Sequence, residues 1–281
     1  MIAVPALLLG LLIFGPLLYS LVMSLFEWQL TDINGDKLFV GLDNYLKLVT
    51  DPEVLNAVGN TILYVIGSVS VELVLGFVIA LALFEMTKGR RLANSLILLP
   101  MIVAPVITAL LWRYLLDPQF GLVSQISTAL GGSGIDFFGN PKLALPALIV
   151  VDIWQWTPFV ILILHAGMLG ISEEQLEAAR MDGAGRLRIA WSIIIPNIAP
   201  QILLVLLFRT MDTYRIFDTV FVLTRGGPGT STETIGLYTY QTGFSYFDMG
   251  YAMTLSIFIL VTVAVISSFY IRLLRRRNVF Q

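Results

Sequence analysis

The chain has 281 residues, of which 57% are hydrophobic and only 13% charged, and its formal net charge is −2. A soluble domain carries about 25% charged residues to keep its surface wet, so this composition excludes a water-soluble enzyme, a disordered chain and a collagen-like fibre. Cysteine is absent and His165 is the single histidine, which removes disulfides, thiolate chemistry and multi-histidine metal sites.

What remains is a polytopic membrane protein. Six stretches reach the ~20 apolar residues that a spanning helix needs: residues 2–26, 58–84, 92–116, 143–169, 198–223 and 250–274. The expected fold is therefore all-α, with six transmembrane helices. Outer-membrane barrels alternate apolar and polar residues along short strands, and that alternation is missing. The first stretch lacks a basic leader and a cleavage site, so it reads as a retained helix. The organisation follows: residues 1–57 form the first helix and an outer loop, residues 58–275 the transmembrane core, and residues 276–281 a tail.

The loops sort by charge. Lys88, Arg90 and Arg91 follow span two, Arg180, Arg186 and Arg188 follow span four, and Arg272, Arg275, Arg276 and Arg277 follow span six. The opposite loops hold Lys37, Lys47, Lys142 and Arg225 among many acids: Asp32, Asp36, Asp43, Asp51, Glu53, Asp136 and Glu233. Basic loops stay in the cytoplasm, which places both termini there.

Between spans four and five lies an elbow at residues 172–196. Ser172 followed by Gln175 has the capping-box spacing, and Glu173 and Glu174 suit the positive end of a helix. Gly183-Ala184-Gly185 breaks that helix. A second short helix then presents Leu187, Ile189, Trp191 and Ile194 to protein or lipid, and Pro196 ends it. On physical grounds alone, an ordinary interfacial helix is an equal alternative to a partner-docking elbow.

The elbow also carries a motif: Glu177-Ala178-Ala179, then Asp182-Gly183-Ala184, then Ile193 and Pro196. It resembles the EAA loop of binding-protein-dependent ABC importer permeases, with Ile195 in place of the usual Leu. A second run, Phe208-Arg209, then residues 214–218 and 222–228, is similar to the carbohydrate-uptake branch of that family. The resemblance implies a permease subunit in a bacterial or archaeal inner membrane, importing a sugar, polyol or oligosaccharide by alternating access. It implies four kinds of partner: a second homologous permease forming a heterodimer, two ATPase subunits, an extracytoplasmic substrate-binding protein, and membrane lipid. Glu177, Ala178, Ala179, Asp182 and Gly183 would couple this chain to an ATPase cleft. The sequence has no G-x-x-x-x-G-K-[ST] loop, so ATP and Mg belong to the partner ATPase. No cofactor, no enzymatic activity and no nucleic acid is expected of this chain.

Ionisable residues at membrane depth are costly and are functional candidates. Arg209, Asp212, Arg215 and Asp218 recur every three residues in span five with alternating sign. Arg209, Asp212 and Thr213 read as the wall of a substrate path, with a structural ion-pair stripe as the alternative. For Arg215 and Asp218 the structural reading leads. The resemblance puts substrate halfway along the spans flanking the elbow, which singles out Asp152, Trp156 and Phe159. Pro158 is expected to kink span four beside them. Glu72 reads as a lone carboxylate facing a neighbouring helix, His165 as a packed neutral side chain, and Arg113 with Asp117 as an interfacial pair.

Two other functions stay open. An ion-gradient-driven secondary transporter could use Glu72, Asp152 and Asp212 as proton carriers. The lack of matched broken helices counts against it. An intramembrane hydrolase using Asp152 and Asp212 would leave the elbow unexplained.

Overall fold

A computed structural model describes residues 3–32 and 37–276 of the chain. Asp36 and Arg277, counted above in the charge pattern, lie outside the described residues. The chain begins with α1 (Ala3–Met23), a two-stranded hairpin of β1 (Phe26–Glu27) and β2 (Leu38–Phe39), and α2 (Asp43–Thr50). Then come α3 (Pro52–Glu85), α4 (Arg90–Ile97), α5 (Leu99–Ile102), α6 (Pro105–Leu115), α7 (Leu122–Ala129) and α8 (Pro141–Met168). The elbow comprises α9 (Glu173–Met181), α10 (Arg186–Ile189), a π-turn at Ala190–Ile194 and α11 (Ile195–Asn197). The remainder is α12 (Ala199–Tyr214), α13 (Asp218–Leu223), α14 (Ile235–Phe244) and α15 (Met249–Arg276).

α3 and α8 form the central pair. α3 starts where Pro52 needs no hydrogen-bond acceptor and the Asp51 carboxylate takes the Glu53 N–H at 2.9 Å. α8 starts in the same way at Asn140, which accepts the Lys142 N–H at 2.9 Å. Their close approach depends on small residues. A Cβ on Gly76 would come within 2.5 Å of Val160 Cγ1, and one on Gly67 within 2.8 Å of Ile149 Cδ1. α8 continues as one element through Pro146 and Pro158, so Pro158 does not divide it.

Among the described residues, α3, α8 and α15 are each long and apolar enough to cross a membrane alone. One expected span, 92–116, is bent within its length, and a second bend falls where Pro196 was expected to end the elbow ahead of span five. The segment 90–102 meets α6 at 93°, and the segment 186–197 meets α12 at 69°. The first bend has a local cause: Pro105 forces Ala104 into extended backbone (φ −60°, ψ 139°). The Val103 carbonyl released there accepts from the buried Gln155 Nε2 at 3.0 Å. The first bend breaks a span and the second joins the elbow to a span, so the two are not a matched pair. The expected fifth span also stops early, at Tyr214, and α13 is a separate short helix.

Three apolar clusters stack along the bundle. One at the inner end joins α3 and α8 to the elbow through Leu83, Leu164, Leu176, Ile189, Ile194 and Ile198. A lateral one joins α6, α8, α13 and α14 through Ala109, Leu148, Val220 and Leu237. The outer one brings Val54 and Ala57 of α3 against Ile235, Tyr238, Tyr251 and Leu255. Above it, Asp51 accepts hydrogen bonds from the hydroxyls of Tyr251 at 2.8 Å and Tyr238 at 3.0 Å. Burial opposes charge on Asp51, but those hydroxyls and the Glu53 N–H outweigh it and hold the carboxyl below its usual range.

Candidate functional site

The polar residues of the bundle interior converge on Arg209. Its side chain is 2% exposed and forks between three helices. Nε donates to Glu72 Oε2 at 2.7 Å and Nη2 to Glu72 Oε1 at 2.8 Å. Nη2 also donates to Asp152 Oδ2 at 2.8 Å, and Nη1 to Asp212 Oδ2 at 3.2 Å. The Trp156 ring covers the guanidinium, its centre 5.1 Å from Cζ. A planar fork with five donors suits this use, which a lysine could not reproduce.

Glu72 is therefore not a lone carboxylate but the bidentate partner of Arg209. Asp152 and Thr213, expected on a substrate path, are 3% and 1% exposed and line neither of the two pockets beside Arg209. Arg209 reaches the edge of a cavity, but its donors are already engaged by carboxylates. The other three path candidates do face open space. Trp156, Phe159 and Asp212 border a pocket of about 290 Å³ together with Phe208, Arg209, Met211 and Arg215. Phe159 and Phe208 meet edge to face at 6.3 Å.

A neighbouring pocket of about 260 Å³ shares Trp156, Asp212 and Arg215 and adds Asp218. So Arg215 and Asp218, read as structural, also look into open space. The Arg215 side chain is 64% exposed and only loosely paired with Asp212, at 3.6 Å. The pocket thus offers an aromatic wall, one carboxylate and one accessible guanidinium, groups that accept from and donate to hydroxyls. His165 is buried on α8, as a packed histidine should be. Arg113 and Asp117 do not pair. Arg113 Nη1 donates to the Val222 carbonyl at 3.1 Å, while Asp117 accepts the N–H groups of Gln119 and Phe120 at 2.8 and 2.9 Å.

The elbow is the second candidate site. Leu176 is the buried side chain of α9 and anchors it to the inner cluster, with Ala179 packed beside it. Glu177, Ala178, Asp182 and Gly183 are exposed. Gly183 has φ +75° and nothing within 4 Å of a Cβ built on it, so backbone conformation, not space, demands the glycine. Its N–H bonds to the Arg180 carbonyl and that of Ala184 to the Ala179 carbonyl, both at 3.0 Å, closing the helix.

Two details depart from expectation. Ser172 occupies the N-cap position, but its side chain makes no capping hydrogen bond. The four residues of the second elbow helix do not share one face: Ile189 and Ile194 are buried, while Leu187 is 77% and Trp191 70% exposed. The π-turn at Ala190–Ile194 shifts the helical phase between them.

A bundle of apolar helices with a charged knot in its interior and an exposed, well-anchored elbow is the architecture of a multi-pass membrane protein. The model of the family described as "binding-protein-dependent transport system inner membrane component" matches residues 72–279, and the chain belongs to that family. It is 37% identical over 233 residues to the trehalose/maltose transport system permease protein MalF of Thermococcus litoralis, covering 83% of this chain and 78% of that protein. It is 31% identical over 281 residues to the sulfoquinovosyl glycerol transport system permease protein SmoG of Agrobacterium fabrum, covering 99% and 90%. Among solved structures, a chain of a bacterial ABC transporter involved in import of the acidic polysaccharide alginate has the same fold. Its TM-score is 0.84 at 24% identity, covering 98% of this chain and 94% of that one.

Proposed function

We propose that this chain is one transmembrane subunit of an ATP-driven importer that moves a sugar, polyol or oligosaccharide into the cytoplasm by alternating access. The observation that carries the reading is the elbow. A helix anchored by Leu176 leaves Glu177 and Ala178 exposed and turns at a glycine in a left-handed conformation. Such a surface is low, rigid and charged, and fits a cleft in a partner. The relatives' names supply the cargo class, and the aromatic pocket beside Asp212 and Arg215 fits a ring with hydroxyls.

The reading brings its partners with it. Two ATPase subunits dock below, with Glu177, Ala178, Ala179, Asp182 and Gly183 at one interface. A second homologous permease completes the path. An extracytoplasmic binding protein delivers cargo, as supported by the alginate transporter crystallised in complex with a periplasmic protein holding an alginate pentasaccharide. The chain then crosses the inner membrane six times with both termini in the cytoplasm, α1 being the first crossing. Trp156, Phe159 and Asp212 face the cargo, while Arg209 and Asp152 hold the helices that carry them.

The test is ATP hydrolysis by the reconstituted assembly, wild type against Glu177→Lys. Hydrolysis that responds to loaded binding protein in the wild type and loses that response in an assembled variant supports the reading. Uptake driven by a proton gradient without any ATPase sinks it.

A further inference from the structure

At the inner end of the bundle, α3 stops at Glu85 close to the start of α10 at Arg186. Beside them is a pocket of about 330 Å³ that the transport reading leaves unused. Its floor is apolar: Leu81 and Phe84 of α3 and the buried Leu176 of α9. Its rim is charged, with Arg180 of α9, Arg186 of α10 and Glu85. Glu85 and Arg186 approach to 3.6 Å with the arginine side chain 87% exposed, a contact of little strength. Arg180 has no ion-pair partner among the described residues. Two guanidinium groups against one carboxylate leave the rim positive above an oily floor.

The surroundings continue this pattern. α4 opens with Arg90 and Arg91, and its Ala93 and Ile97 pack on the same apolar cluster as Leu176 and Ile189. The segment holding α4 turns 93° from α6. On the reading that the elbow faces the cytoplasm, these arginines stand at the inner headgroup level. A free phosphate would pair the arginines and leave the floor wet. A purely apolar molecule would leave Arg180 unpaired. One ligand chemistry satisfies both halves: an anionic phosphate carrying an acyl chain.

We propose that the pocket between α3, α9 and α10 binds an anionic phospholipid of the inner leaflet, its phosphate between Arg180 and Arg186 and the start of one acyl chain over Leu81 and Phe84. This rests on the reading that the elbow faces the cytoplasm. The bound chain lies against Leu176, the anchor of α9, so the lipid stiffens the elbow that meets the ATPase.

The experiment uses the complete transporter in nanodiscs of phosphatidylcholine with added phosphatidylglycerol, followed by release into detergent and native mass spectrometry. The wild type is expected to retain phosphatidylglycerol in preference to phosphatidylcholine. The double variant R180Q/R186Q is expected to lose that retention roughly tenfold. R188Q, an exposed arginine of the same segment that does not line the pocket, should leave it unchanged. Equal retention in the double variant, or an equal loss in R188Q, overturns the proposal. Displacement by excess soluble glycerol phosphate assigns the site to free phosphate and overturns the lipid. The chain has no cysteine, so K88C, in the exposed turn after α3 beside the elbow, gives this chain a single thiol that reports which side the elbow faces. A cytoplasmic elbow without lipid retention overturns the lipid site alone. An elbow labelled from outside overturns the topology beneath it.

Discussion

Glu72 and Arg209 stand 137 residues apart in the chain and meet through two parallel hydrogen bonds of 2.7 and 2.8 Å in the centre of the bundle. Both side chains are withdrawn from solvent, so each is the other's condition for being there. Removing one member of a buried pair leaves the other uncompensated, at about 3–5 kcal/mol. Glu72→Ala and Arg209→Ala should each lower the thermal midpoint of the purified subunit strongly. The double variant should lose far less than the two losses added. Arg209→Lys should behave nearly as badly as Arg209→Ala, because an ammonium cannot reproduce the fork. Additive losses in that cycle would show that the pair is not coupled.

The division between holding and facing residues makes a second prediction. Asp152 accepts from Arg209 inside the bundle, whereas Trp156 and Phe159 border the pocket. Trp156→Ala should reduce cargo uptake at least several-fold and, although its ring covers Arg209, lower the thermal midpoint less than Asp152→Asn. Asp152→Asn should lower the midpoint, with uptake following stability. Binding-protein-stimulated uptake measured beside a melting curve separates the two. The prediction fails if Trp156→Ala is the variant that melts.

At the elbow, Gly183 is required by its φ of +75° and by no crowding. An alanine there costs about 1–2 kcal/mol of backbone strain, and a β-branched residue more. Gly183→Ala should retain assembly but weaken the ATPase response to loaded binding protein, and Gly183→Val should weaken it further. Pull-down of the ATPase with each variant distinguishes lost docking from lost coupling. Identical responses in all three chains would remove the turn from the coupling role.

Two carboxyls at the end of the bundle away from the elbow should give stability opposite pH slopes. Burial, reinforced by the nearby Glu53, pushes the Glu233 carboxyl up to about 7 from its ordinary 4.5. The folded chain then holds a proton that the unfolded chain releases earlier. That stabilisation is full below about 4.5 and is lost as pH rises through about 7. Asp51, held low by its hydroxyl partners, contributes above its ordinary 3.8 and loses that contribution as pH falls through its lowered value. Glu233→Gln should flatten the fall in thermal midpoint across the upper window, and Asp51→Asn should flatten the acid-side fall. An unchanged upper slope in Glu233→Gln would assign it to another group.

Apolar length made the long helices legible. α3, α8 and α15 fall where uninterrupted runs of Val, Ile and Leu require them. The elbow was legible too, because Gly183 and the charge pattern of α9 are local signals. The bends were less so. Pro196 marks the one that closes the elbow, whereas the one at Pro105 lies inside an apolar run that hydropathy reads straight through. The knot was hidden for a different reason. The three-residue spacing from Arg209 to Asp212 to Arg215 shows contacts along one helix, and those contacts exist at 3.2 and 3.6 Å. It cannot show that Arg209 turns its fork across the bundle to α3 and α8. Burial of Asp152 follows from that cross-bundle contact, which no local spacing in the sequence reveals.

α3 is engaged at three heights. Asp51, at its outer end, is gripped by two tyrosines, Glu72 by Arg209, and Glu85, at its inner end, touches Arg186 of the elbow. At 1.5 Å per residue these points are spaced about 32 and 20 Å apart on one unbroken rod. A rod pinned at its middle turns both ends together. Because Leu83 also packs with Leu176 and Ile189 of the elbow, movement there would reach the Asp51 clasp as a tilt in the opposite sense, with nothing carried through a loop.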